Sequence, residues 1–189
     1  EKRISLNIPI DAPLIGTVGR LTEQKGYNYF IDAASLVLKN IPQAYFIIIG
    51  DGELADQLKI QAQNLGIYNK IIFTGSRSDI DEILPCLDLF VSSSLWEGFP
   101  TVILESMASH IPIVATDIPG TRELIHHQEN GWLAQPRDPL SLAQMIQTAL
   151  ENKQTSLTYA DRASQTVKSF SIKSITIEYE KYFQGLINK

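Results

Sequence analysis

Apolar residues in this chain fall into short continuous runs separated by segments with helical spacing. Residues 14–18 (Leu-Ile-Gly-Thr-Val) read as a buried strand that ends at Gly19, and Ala44 to Ile49 is a continuous apolar run, the pattern of a strand buried on both faces. Lys70 to Thr74, Leu87 to Val91, Ile113 to Ala115 and Gly131 to Ala134 read as further strands. Tyr27 to Lys39 places Phe30, Ala33, Ala34, Val37 and Leu38 on one helix face. Leu54 to Leu65 is helical, with Gly66 as a natural stop. Ile80 to Leu84 predicts a short helix, and another follows Pro100, which suits the first helical position because its missing N–H costs nothing there. Asp138-Pro139 supplies an N-cap acid and a proline behind it for a helix to about Leu150. The tail predicts two more helices, one near Tyr159 to Val167 and one from about Ile172 to Ile187.

Alternating strands and helices, with strands too apolar to face water, predict a parallel sheet covered on both sides. The expected fold is an α/β, Rossmann-like doubly wound domain over residues 1–189, with no second domain boundary. Ligands bind such sheets beyond the carboxyl ends of the strands. Gly19-Arg20, Gly50-Asp51, Gly75-Ser76-Arg77 and Glu97-Gly98 each come just after a predicted strand, so one sheet edge gathers the candidate chemistry.

Composition narrows the classes. The chain has 189 residues, enough for one full core, and a net charge of −5, against a broad nucleic-acid patch. No apolar run is long enough for a transmembrane helix, and no signal peptide is visible. The single cysteine, Cys86, has no internal partner for a disulfide, in keeping with a reducing compartment. The first residue is Glu1 rather than Met, which reads as a piece of a longer chain, a processed N-terminus being the alternative.

The densest chemistry lies between Trp96 and Ala108. Glu97 and Glu105 bracket a Gly-x-Pro turn and the apolar run Val102-Ile103. A carboxylate inside a buried helix is costly unless something hydrogen-bonds to it, and a ligand hydroxyl pair would serve; a helix-surface carboxylate is the bland reading of Glu105. The free N–H groups of the helix start suit an anion such as phosphate. Arg20 and Lys25 share one strand-to-helix connection and suit a diphosphate, while two solvated surface cations are the bland reading. Gly50-Asp51-Gly52 reads as a turn or as a loop of close backbone approach, and Arg77 reads equally as a surface cation or a ligand contact. His126 and His127 read as solvated loop residues rather than metal ligands, His110 as a helix cap, and Trp96 and Phe99 as packing residues.

The segment from Glu97-Gly98-Phe99-Pro100 to Glu105-Ser106-Met107-Ala108 resembles the signature of family-4-type retaining glycosyltransferases. Val18-Gly19-Arg20-Leu21 with Lys25-Gly26, Ile49 to Leu54, Phe73-Thr74-Gly75, and Ile118-Pro119-Gly120 with Glu123-Leu124-Ile125 match further motifs in the family's order, over roughly residues 14 to 135. The family usually has Gly where Pro100 stands, and proline removes one phosphate N–H donor.

The resemblance implies the C-terminal donor half of a GT-B enzyme. Such an enzyme binds a nucleotide-diphospho-sugar and, with an N-terminal acceptor-binding half, transfers the sugar with retention. It implies that Arg20 and Lys25 hold the donor diphosphate, that the N–H groups near Thr101, Val102 and Ile103 bind the terminal phosphate, and that Glu97 faces the sugar. Glu105 would accept hydrogen bonds from the ribose hydroxyls. Gly19, Gly50, Gly52, Gly75, Ser76 and Arg77 would form the nucleotide loops, with Gly50 and Gly52 as backbone spacers. No cofactor and no essential metal are expected, because the cations and the helix start stand where a metal would. Expected partners are the donor and the acceptor-binding half, with no nucleic acid. The expected location is cytoplasmic, peripheral to the inner membrane face at most, with membrane contact only through the other half. A nucleotide-sugar-isomerising relative and a non-catalytic nucleotide-binding module remain alternatives. A dinucleotide-dependent oxidoreductase is disfavoured because no Gly-x-Gly-x-x-Gly follows the first strand.

Overall fold

Six strands build one parallel sheet: β1 (Leu14–Val18), β2 (Tyr45–Ile49), β3 (Ile71–Gly75), β4 (Leu89–Ser92), β5 (Ile113–Thr116) and β6 (Trp132–Ala134), in the order β3-β2-β1-β4-β5-β6. The computed structural model describes residues 2–187. Side chains alternate across the sheet with the strand period of two. Phe46 and Ile48 therefore join one core, while Ile47 and Ile49 join the other, all four sealed from solvent.

Helices cover both faces, as expected for an all-parallel sheet. In chain order they are α1 (Lys2–Ser5), α2 (Tyr27–Asn40), α3 (Ala55–Asn64), α4 (Ile80–Ile83), α5 (Thr101–Ala108), α6 (Pro119–Arg122), α7 (Pro139–Glu151), α8 (Lys153–Thr166) and α9 (Ile172–Ile187). α2, α3 and α7 pack through Phe30, Val37, Leu58, Ala143 and Ile146 on one face. Ile103 and Met107 of α5 and Ala163 of α8 pack on the other. At α7 the Asp138 carboxylate accepts from the N–H groups of Leu140 and Ser141, as the N-cap acid predicts.

Several boundaries differ from expectation, each for a local reason. α8 starts at Lys153 rather than near Tyr159, its first turns being polar. Its buried positions are small (Ser156, Ala160, Ala163), so they leave no large-apolar stripe to read. β4 starts at Leu89 rather than Leu87: the Asp88 N–H already bonds the Leu14 carbonyl, while its carboxylate holds Arg3 and the Leu14 N–H. Pro100 caps α5 instead of opening it, and its carbonyl accepts the Ile103 N–H at 3.0 Å. The single-turn helices α1 and α6 are additions. His110 sits just past the end of α5 with φ of 55°, the left-handed position of a helix cap, as expected.

α9 carries an unpartnered apolar stripe. Tyr179, Tyr182, Phe183 and Leu186 are 53 to 63% exposed. The side chain of Ile187, where the sequence ends this helix, lies outside the described residues.

Candidate functional site

The strand order reverses between β1 and β4, so the loops leaving these two strands diverge and open a crevice at their carboxyl ends. The β1 loop carries Gly19, Arg20 and Lys25; the β4 loop carries Ser93, Ser94 and Glu97. Gly26 lets the two meet. It has φ of 59°, and an added Cβ would lie 2.3 Å from the Ser93 carbonyl oxygen. The Ser93 hydroxyl donates to the Lys25 carbonyl at 2.8 Å, and the Leu95 N–H donates to the Gln24 carbonyl at 2.7 Å.

Across this seam Lys25 Nζ donates to Glu97 Oε1 at 2.5 Å. The same oxygen accepts from Ser94 Oγ at 2.7 Å, and Oε2 accepts from Gln24 Nε2 at 3.2 Å. The Glu97 side chain is 7% exposed and that of Lys25 20%. Such a carboxylate is tolerable because both of its oxygens are hydrogen-bonded and one is ion-paired. The scaffold behind it is also fixed: Thr116 Oγ1 of β5 donates to the Ser94 carbonyl at 2.5 Å, and a Cβ on Gly120 would lie 2.6 Å from the Glu97 carbonyl oxygen.

Two adjoining hollows, of about 380 and 320 Å³, form one cleft along these loops, sharing Val18, Gly19, Arg20 and Ile80 as walls. One end holds Lys25, Glu97, Thr101, Val102 and Glu105; the other holds Gly50, Asp51, Ser76 and Arg77. The loops are stitched by backbone bonds: the Gly19 N–H to the Ile49 carbonyl, the Leu21 N–H to the Asp51 carbonyl and the Gly50 N–H to the Gly75 carbonyl, at 2.9 to 3.0 Å. Gly50 has φ of 139°, and a Cβ there would lie 2.0 Å from the Gly19 carbonyl oxygen. Gly52 also packs closely on the Leu21 backbone, where an added Cβ would lie 2.5 Å from the carbonyl oxygen, and takes no part in the cleft wall, the geometry of a spacer.

Arg20 is exposed at the shared wall and makes no side-chain hydrogen bond among the described residues. At the start of α5, the Thr101 N–H is taken by the Phe99 carbonyl and the Ile103 N–H by the Pro100 carbonyl, both at 3.0 Å. Ile103 is fully buried and outside the cleft. Val102 is left with the one N–H of these three that has no acceptor among the described residues, and it lines the cleft. Glu105 departs from expectation: it is exposed on the solvent face of α5 rather than buried, yet it forms part of the cleft wall. Its neighbours Ile103, Ser106 and Met107 take the buried face instead.

Trp96 is 49% exposed where packing was expected, whereas Phe99, 46% exposed, does pack on Phe170 with ring centroids 5.8 Å apart. The Leu133 N–H donates to His127 Nδ1, and no described group of His, Cys, Asp and Glu is arranged to hold a metal ion. Sequence reading passed over Ser94, Gln24 and Thr116, which hold Glu97 in place. For Ser94 the signal was the run Ser92-Ser93-Ser94, three polar residues that directly continue an apolar strand and prove buried; Gln24 and Thr116 carried none. A further hollow, about 710 Å³, lies between Phe99, Phe170 and α9; it is lined mainly by aromatic and aliphatic side chains, with Glu178 its one charge, and lacks a convergent polar set.

Residues 1–166 match the family model described as glycosyl transferases group 1. The chain is 32% identical over 176 residues to UDP-Gal:alpha-D-GlcNAc-diphosphoundecaprenol alpha-1,3-galactosyltransferase of Escherichia coli, covering 91% of this chain and 46% of that protein. The crystal structure of Anabaena Alr3699/HepE in complex with UDP-glucose superposes with a TM-score of 0.87 at 31% identity, over 100% of this chain and 52% of that one. A crystal structure of the C-terminal domain of a glycosyl transferase group 1 family protein (LpcC) from Francisella tularensis matches at 29% identity and a TM-score of 0.77, over 85% of this chain and 87% of that one. The chain spans about half the length of the curated relatives it matches. Among the described residues no helix is long and apolar enough to cross a membrane. By the family model, by identity and by fold, the chain belongs to the glycosyl transferases group 1 family, with the fold of the C-terminal half of a GT-B glycosyltransferase.

Proposed function

We propose that this domain binds a nucleotide-diphospho-sugar and that, with an acceptor-binding N-terminal half, it transfers the hexosyl group with retention of configuration. The observation that carries the reading is the Lys25–Glu97 pair at the strand-order reversal, with Arg20, Glu105 and the open Val102 N–H around the same cleft. UDP or UDP-glucose bound to the Anabaena relative, which is 30 to 31% identical, supports a nucleoside diphosphate as the ligand class.

In this reading the diphosphate lies against Arg20, Lys25 and the start of α5. These groups stabilise the charge that grows on the leaving phosphate, where such a site lowers the barrier. Glu105 accepts from the ribose hydroxyls. Glu97, held by Ser94 and Gln24, faces the sugar. Gly19, Gly50, Ser76 and Arg77 line the nucleoside end, with Gly75 behind them accepting from the Gly50 N–H. Arg20 and Lys25 supply the positive charge a metal would otherwise bring, so no metal is required. The domain works on the cytoplasmic side, and any membrane contact is made by the other half.

Calorimetry with UDP, GDP and ADP tests the donor reading. At least one should bind in the micromolar to millimolar range, about −4 to −8 kcal/mol. A chelator should leave that binding unchanged. Absence of binding by all three would refute the reading, and sugar transfer by this domain alone would refute the need for a second half.

A further inference from the structure

Asp79 stands at the N-cap position of α4, where a carboxylate ordinarily accepts from backbone N–H groups, but its side chain makes no cap hydrogen bond. Both oxygens are turned to Arg77 instead. Arg77 Nε donates to Oδ1 at 2.8 Å and Nη2 to Oδ2 at 2.6 Å, a two-pronged pairing across only two residues. Lys2 Nζ, from α1, adds a second cation, 2.5 Å from Asp79 Oδ2 and 2.6 Å from Glu82 Oε2. Two cations thus meet two carboxylates and the cluster is neutral.

Partly exposed ion pairs of this kind contribute little to fold stability. Arg77 is 35% exposed and Asp79 22%, so the consequence of the pairing lies in geometry. Arg77 lines the end of the cleft away from Glu97, beside Ser76 and Gly50. Its charge is already matched by Asp79, which leaves Arg20 and Lys25 as the cations for a diphosphate. What Arg77 retains is a planar face. A guanidinium held still in one plane can stack on a flat, polarisable ring with less ordering cost than a free side chain.

We propose that Asp79 is a positioning residue that fixes the Arg77 guanidinium as a platform for the nucleobase, with Lys2 balancing the charge of the clamp. The inference rests on the donor reading above and extends it to how the base is held. Ile80, the first residue of α4, lines both hollows, so the segment that carries the clamp is itself a wall of the cleft.

The test uses wild type, Asp79→Asn, Arg77→Ala and the double variant, titrated with whichever of UDP, GDP and ADP binds wild type most tightly. Asp79→Asn should weaken binding about three- to tenfold, with the melting temperature nearly unchanged. In the Arg77→Ala background the same change should have no further effect, the signature of action through Arg77. Nitrogen relaxation of Arg77 Nε in the ligand-free protein should show an ordered group in wild type and a mobile one in Asp79→Asn. Unaltered affinity of Asp79→Asn, additive losses in the double variant, or a mobile Arg77 in wild type would each overturn the positioning role while leaving the donor reading intact. A wild-type protein that binds none of the three nucleotides overturns both.

Discussion

Lys25 and Glu97, 72 residues apart in the chain, share one hydrogen bond of 2.5 Å across the seam between the β1 and β4 loops. The pair commits the Lys25 charge in the ligand-free protein. Under the proposed donor binding, an incoming diphosphate would draw on that charge, while Glu97 would keep its bonds from Ser94 and Gln24.

Glu97→Gln in the full-length enzyme should therefore lower kcat at least about tenfold while nucleotide affinity stays level or tightens a few-fold, because Lys25 is released. Steady-state kinetics beside nucleotide titration separates the two effects. A loss of affinity as large as the loss of kcat would refute the assigned role.

Glu105→Gln should behave oppositely. Contacts to ribose are made in ground and transition states alike, so nucleotide binding should weaken about tenfold, or about 1.4 kcal/mol, with kcat little changed at saturation. Since Glu105 is exposed, thermal stability should not move. A drop in kcat without one in affinity would place Glu105 at the sugar instead.

Gly50→Ala should be among the most damaging single-methyl additions. The left-handed φ strains any side chain, and the new Cβ would meet the Gly19 carbonyl at 2.0 Å. Destabilisation should exceed about 2 kcal/mol, a fall of at least about 4 to 8 °C in Tm for a domain of this size. A Tm within a degree of wild type would mean that the two loops are not held in register.

Tyr27 gives a pH dependence. Its hydroxyl is buried, and Thr17 approaches without completing a hydrogen bond, so the phenol has no partner among the described residues. Burial pushes its pKa well above the usual value, with the Glu97 charge acting in the same direction and Thr17 opposing. The unfolded chain ionises this phenol near pH 10 and the folded one does not, so its contribution is intact below about pH 10 and is lost as pH rises towards the folded value. Urea melts of Tyr27→Phe should show a shallower alkaline loss of stability than wild type; matching slopes would contradict the burial argument.

In the proposed two-half enzyme, the stripe on α9 would tether this domain to the acceptor-binding half. Hydrogen exchange on this domain alone should show residues beyond about Tyr179 opening well below the global unfolding energy. Full protection of that segment in a monomer would mean that the helix belongs wholly to this domain.

What the sequence disclosed followed from how each feature is encoded. The strands were legible because a strand buried on both faces is an unbroken apolar run, as in Phe46 to Ile49. The loop glycines were legible because each follows such a run. The start of α8 was not, since a helix that packs through Ser156 and Ala160 presents no large-apolar period. The exposure of Glu105 depended on which side of α5 met the sheet, and eight residues leave that choice open. The pairing of Lys25 with Glu97 was beyond local reading, because it exists only once β1 lies beside β4.

That adjacency bears on when the site comes into being during folding. β1 pairs with β4 through Ile15 and Leu89, so the intervening β2 and β3 units must be passed over before the contact closes. Contacts of such sequence separation form against a high loop-closure entropy, and parallel pairings of this kind assemble slowly. The cleft is therefore a property of the completed sheet, absent from partly folded chains. A ligand that recognises only the finished domain draws the whole folding equilibrium towards it, by RT ln(1 + [L]/Kd). Under the proposed donor binding, cells holding abundant donor would keep more of this domain folded, and the supply of donor would bear on the lifetime of the protein.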